Sequence, residues 1–246
     1  MKAFLLLLIF VALIGGYAIK TRTELATMPE GGDIWTVRDT SGSAANLNCA
    51  AMTAKLKERL LDPSLRISKN SHLYFVTTGG TKSSFEPRLE LDVQIPRVKS
   101  GLFGRKNTMY DEFLAGIEKH CAAWPEAEGS AIVRTVEIVI QQMKSRNCGP
   151  KRLCELILMT DGLENGNREV ARYLYNKNPN ATPPLMLDNT MAHKSTWCGY
   201  EQMGLGSGPI DNAQTIIDRF GAMFTKPVLM EPYCTDPKQA IQARGH

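Results

Sequence analysis

Short runs of β pattern alternate with longer segments of helical period through most of the chain, and this alternation limits the fold more than any other feature. Residues 33–38 and 72–78 read as strands. Residues 88–95 place Leu89, Leu91, Val93 and Ile95 on one face, the pattern of a half-exposed strand at a sheet edge. Residues 154–160 are almost continuously apolar, which suits a central strand covered on both faces. Residues 197–205 read as a late strand. Leu47, Met52, Leu56 and Leu60 recur at helical spacing within 44–61, and Pro63 stops that helix. Further helices are expected over 109–124, 130–146, 168–176 and 211–224. Residues 97–107, with Arg97, Lys99, Arg105 and Lys106, read as a solvated basic loop, and 177–195 as a long polar loop. Strands alternating with helices predict an α/β fold: a doubly wound, mostly parallel central sheet flanked by helices.

An N-terminal hydrophobic segment precedes this region. Residues 3–19 are nearly unbroken apolar after Lys2, the form of an export signal or signal anchor. The run sits at the short end of the spanning range of about 17–25 residues. Gly16, Tyr17 and Ala18 offer a cleavage site. Positive charge on both flanks (Lys2; Lys20 and Arg22) leaves the orientation open. The expected organisation is a signal peptide or anchor at 1–19, a linker at 20–32, one domain at 33–234 and a tail at 235–246. The chain is therefore expected outside the cytosol: exported, membrane-anchored, periplasmic or extracellular. Six cysteines agree with an oxidising compartment and predict at least two disulfides among 15 possible pairings. No CxxC and no HExxH occurs, which argues against zinc.

Composition narrows the function classes. Hydrophobic residues at 43% and charged residues at 22% exclude a disordered, collagenous or polytopic membrane chain. A net charge of +4, from 29 basic and 25 acidic residues, is too small to point to nucleic acid.

In doubly wound sheets, ligands bind beyond the C-terminal strand ends. Three segments expected there carry oxygen donors: Asp39-Thr40-Ser41-Gly42-Ser43, Gly129-Ser130, and Thr160-Asp161-Gly162-Leu163-Glu164-Asn165. The carboxylates of Asp39 and Asp161 and several hydroxyls form a hard donor set, suited to Mg²⁺ or Mn²⁺. The same Ser and Asp residues also suit helix caps and turns, roles compatible with ligation.

Asp39-x-Ser41-x-Ser43 after one strand, with Thr-Asp-Gly-Leu-Glu-Asn after a later apolar strand, resembles the von Willebrand factor type A (vWA) family, over roughly residues 33–225. Met203-Gly204-Leu205-Gly206 also resembles that family's late strand end. The resemblance implies a metal-ion-dependent adhesion site in which Asp39, Ser41, Ser43, Ser130 and Asp161 hold Mg²⁺ or Mn²⁺. Ser130 stands where the family carries Thr. It further implies that a protein partner supplies an acidic residue to complete the coordination sphere.

The motifs bring no nucleophile, general base and oxyanion donor together, so a non-enzymatic binding domain is expected. The alternatives are a scaffold subunit of an envelope or secretion-type assembly with a structural or empty metal site, and a metal-dependent hydrolase using Asp39 and Asp161.

Overall fold

The computed structural model describes residues 30–41, 49–62, 64–65, 67–80, 86–97, 103–124, 127–176, 178, 180–198 and 213–231. The hydrophobic segment 1–19, Ser43, Cys234 and the stretch Met203–Gly206 lie outside the described residues. Among the described residues, no helix is long and apolar enough to cross a membrane.

In chain order the strands are β1 (Glu30–Arg38), β2 (His72–Thr77), β3 (Gly79–Gly80), β4 (Arg88–Gln94), β5 (Gly129–Ser130), β6 (Arg152–Met159), β7 (Ala192–Cys198) and β8 (Leu229–Glu231). The helices are α1 (Cys49–Leu61), α2 (Phe103–Cys121), α3 (Ile132–Ser145), α4 (Arg168–Leu174) and α5 (Ala213–Ala222). Six strands form one sheet in the order β4-β2-β1-β6-β7-β8. All its pairings are parallel except β2 with β4, which makes β4 an antiparallel edge. The expected doubly wound, mostly parallel sheet is present.

Strand alternation divides the core into two layers. Ile34, Leu73, Phe75, Ile157 and Met159 face Met52, Leu56 and Leu60 of α1 and Tyr110, Leu114 and Ile117 of α2. Trp35, Val37, Val76, Leu156 and Leu158 face α3, α4 and α5. A side-chain period of two thus sends neighbouring residues of one strand into opposite helical layers. The amphipathic α3 buries Ile132, Val133, Val136, Val139, Ile140 and Met143.

Two disulfides are defined, Cys49–Cys121 and Cys148–Cys154, and Cys198 is also disulfide-bonded. The first joins the start of α1 to the end of α2. The second joins the turn after α3 to β6. At the N-terminal end of the sheet, the buried Asp33 accepts from Arg146 Nε at 3.1 Å and Arg152 at 2.7 Å. A second buried pair links Arg59 of α1 to Glu155 of β6, with Arg59 Nε 2.7 Å from the carboxylate.

Four boundaries depart from expectation. β1 begins at Glu30, so the stretch read as a 20–32 linker ends in sheet. Residues 97–107 were expected as loop, yet α2 starts at Phe103; Gly104 and Asn107 are weak helix formers and mask the start. The long loop expected over 177–195 is interrupted by a 3₁₀ turn, Asn189–Met191. The strand expected over 197–205 starts earlier: β7 runs Ala192–Cys198, and residues 199–205 lie outside the described residues. Ser195 and Thr196, on opposite faces of the strand, are both buried and hide the apolar signal, and Asn189 Nδ2 donates to Ser195 Oγ at 3.1 Å.

Candidate metal centre

β1 is flanked by β2 on one side and β6 on the other, so the strand order reverses between β1 and β6. That reversal opens the crevice where doubly wound sheets bind ligands. Arg38 and Met159 are paired at the C-terminal ends of these strands. The next residues are Asp39 on one side, and Thr160 and Asp161 on the other. The Asp39 amide extends the ladder by donating to Met159 O at 2.8 Å.

Asp39 is buried and its carboxylate joins three segments. Oδ1 accepts from the Ser41 amide at 2.9 Å and from Thr78 Oγ1 at 3.2 Å. Oδ2 accepts from Thr160 Oγ1 at 2.7 Å. The ends of β1, β2 and β6 therefore meet on one side chain.

The segment holding Ser130 closes against them. β3 pairs with β5, Gly79 opposite Ser130. The Ala131 amide donates to Thr78 O at 3.1 Å, and the Ala127 amide to Thr40 O at 2.8 Å. Gly79 is required here by close approach: a Cβ would collide with Thr40 Oγ1 and Ala127 Cβ. Ser130 Oγ donates to Leu163 O at 2.7 Å. That places the hydroxyl proton on the third loop and leaves oxygen lone pairs for a cation.

The third loop is shaped from within. Gly162 takes a positive φ of 79°, a conformation that favours glycine. Its amide donates to Thr160 Oγ1 at 3.0 Å, and the Leu163 amide to Asp161 Oδ1 at 3.0 Å. Trp197 Nε1 fastens Thr160 O from β7 at 2.9 Å. Glu164 is buried. Its Oε2 accepts from the Val133 amide at 2.8 Å, and its Oε1 from the amides of Gly166 at 2.6 Å and Asn167 at 2.9 Å. Burial raises the Glu164 carboxyl above the ordinary range, against the pull of these three amides, and Asp39 adds to the rise.

Of the five residues expected at the site, Asp39, Ser41, Ser130 and Asp161 are buried at this strand edge; Ser43 lies outside the described residues. Thr160 and Glu164 belong to the third oxygen-bearing segment but are not among the expected ligands, and Thr78 lies outside all three segments. Thr78 and Thr160 read as strand ends, although each directly precedes a Gly or Asp-Gly turn signal. The donor set is oxygen only and fits a hard divalent cation. Asp33 lies near Cys148 and Cys154 as a second acid–sulfur group. That group does not suit a metal: both sulfurs are spent in a disulfide, and two guanidinium groups occupy Asp33.

No family model matches the sequence, and no curated protein matches it. Solved structures do resemble the fold. Proximal thread matrix protein 1 from the mussel byssus is 13% identical, with a TM-score of 0.44, covering 88% of this chain and 47% of its own. This chain thus spans about half the length of the mussel protein. Manganese-loaded TRAP protein of Plasmodium vivax is 18% identical, with a TM-score of 0.41, covering 87% of this chain and 71% of its own. An aerotolerance-related membrane protein from Bacteroides fragilis is 13% identical, with a TM-score of 0.39, covering 87% and 98%. These likenesses are loose, and the functional reading rests on the loops of this chain.

Proposed function

We propose that this chain is an exported vWA-like domain that binds a protein partner through a divalent cation. Asp39, Ser41, Ser43, Ser130 and Asp161 would hold Mg²⁺ or Mn²⁺, and an acidic side chain of the partner would complete its coordination. The supporting observation is the Asp39 carboxylate, which gathers the ends of β1, β2 and β6 at the sheet's reversal point. Two carboxylates neutralise a divalent charge only formally. Neutral hydroxyls add no more, so the ion stays attractive to a third carboxylate. The bound ion supplies that electrophilic contact. The chain's own residues orient it: Thr78 and Thr160 fix the Asp39 carboxylate, and Leu163 O holds the Ser130 proton away. The disulfides and the apolar segment 3–19 support a place outside the cytosol.

The test is titration calorimetry of the full-length chain with Mg²⁺ and Mn²⁺, followed by capture of partners from membranes with and without chelator. Heat of binding that Asp39→Ala abolishes, with capture that chelator prevents, is the expected result. No heat for wild type would refute the metal reading.

One observation favours the scaffold alternative. Asp39 accepts three hydrogen bonds from its own chain, contacts that by themselves give its carboxylate a structural role. Partner capture that survives chelation would select that alternative.

A further inference from the structure

We propose that Glu164 is a positioning residue: its buried carboxylate fixes the loop of Asp161 against the segment of Ser130 and thereby sets the affinity of the site for its cation. This rests on reading the three loops as a metal site. Helix α3 begins directly after Ser130, yet its N-cap residue Ala131 makes no side-chain cap. A helix start leaves four amides without intrahelical partners and carries partial positive charge. Glu164, 31 residues beyond Val133 along the chain, supplies the acceptor, taking the Val133 amide on Oε2. Its other oxygen takes the Gly166 and Asn167 amides of its own loop. One carboxylate thus spans the two segments, three residues from Ser130 on one side and three from Asp161 on the other.

Backbone contacts leave little slack in this joint. Ser130 O accepts the amides of Asn165 at 2.9 Å and Gly166 at 3.0 Å. A Cβ on Gly166 would stand 2.7 Å from Ala131 Cβ and 3.1 Å from Glu164 Oε1. A local Ser or Asp cap would satisfy the helix without joining the loops. Capping from the Asp161 loop adds a side-chain tie to these backbone bonds, so the spacing of the two ligands depends in part on Glu164. Both Glu164 oxygens are turned to amides, so it acts through Ser130 and Asp161.

The test is titration of the full-length chain with Mn²⁺, read by paramagnetic resonance of the free ion. Wild type, Glu164→Gln, Glu164→Ala and Asp39→Ala are compared below their melting temperatures in chelator. Loss of an outer-shell partner lowers metal affinity by about 10–100-fold, the fall expected for Glu164→Ala. Glu164→Gln should fall between, because its oxygen keeps one set of amides while its NH₂ opposes the other. If Glu164→Ala does not fold, the Gln variant decides. Variants that melt lower yet bind Mn²⁺ within twofold of wild type would show Glu164 to be a helix cap only and overturn the proposal. Absence of binding by wild type would instead sink the metal reading itself, a failure visible before any Glu164 variant is measured.

Discussion

Removing the two defined disulfides one at a time should cost unequal amounts of stability, and the loop lengths set the ratio. Cys49 and Cys121 are 72 residues apart, and Cys148 and Cys154 are 6 apart. If a bridge acts by restricting the unfolded chain, the loss is about 4.4 kcal/mol for the long loop and about 2.2 kcal/mol for the short one. For a domain of this size, about 1 kcal/mol moves the melting temperature by about 2–4 °C. Cys49→Ala/Cys121→Ala should then melt roughly 9–18 °C lower, and Cys148→Ala/Cys154→Ala roughly 4–9 °C lower. Each double variant removes two sulfur atoms, so the local packing loss is similar and the difference reports loop entropy. Urea titration monitored by tryptophan fluorescence, with both variants and wild type under non-reducing conditions, measures it. The urea slope should also steepen more for the long-loop variant, whose unfolded chain gains more exposed surface. Equal losses, or a larger loss for the short loop, would refute the entropic reasoning and assign the stabilisation to native contacts at the bridges.

Other outcomes follow from particular contacts. Gly79→Ala forces a Cβ into Thr40 and Ala127; such overpacking costs about 1–3 kcal/mol by urea melting, and Mg²⁺ binding should weaken with it. Glu155→Leu alone leaves the Arg59 guanidinium buried without its main partner and should cost about 3–5 kcal/mol, whereas Arg59→Met with Glu155→Leu should be close to neutral. A double variant as unstable as the single one would contradict this. The Ser64 hydroxyl and amide, then Arg59, hold Asp62 down to about 2 from 3.8. A depressed carboxyl stabilises above its unfolded value and loses that contribution as pH falls from about 4 towards about 2. Asp62→Asn should therefore flatten the fall of the urea midpoint over that range, and an unchanged slope would count against the assignment.

Period and burial made the sheet centre and its edge readable in advance. The apolar run ending at Met159 lies in β6, buried against both helical layers, and the alternation of 88–95 lies in β4 at the antiparallel edge. Asp39 and Asp161 are expected beside one another because oxygen-bearing segments follow β1 and β6, whereas Ser130 is expected there only from its place ahead of α3. β3 and β5 were not, since two residues each carry no period. The start of β7 is not legible because Ser195 and Thr196 are buried although polar, Ser195 with a hydrogen bond from Asn189. Glu164 is visible in the sequence as part of the third segment, but its role is not: its partners are backbone amides, one of them across a loop contact, and no spacing announces them.

The long bridge also governs how the fold would answer to pulling. Tension applied between β1 and β8 reaches Cys49 and crosses directly to Cys121. β2, β4 and most of α1 and α2 lie inside that loop and carry no through-going force. An extended residue spans at most about 3.3–3.6 Å, so roughly 250 Å of contour cannot be paid out while the bridge is intact. The domain would thus lengthen under strain only through the chain outside Cys49–Cys121, which among the described residues includes β1, β5, α3 and everything from β6 to β8.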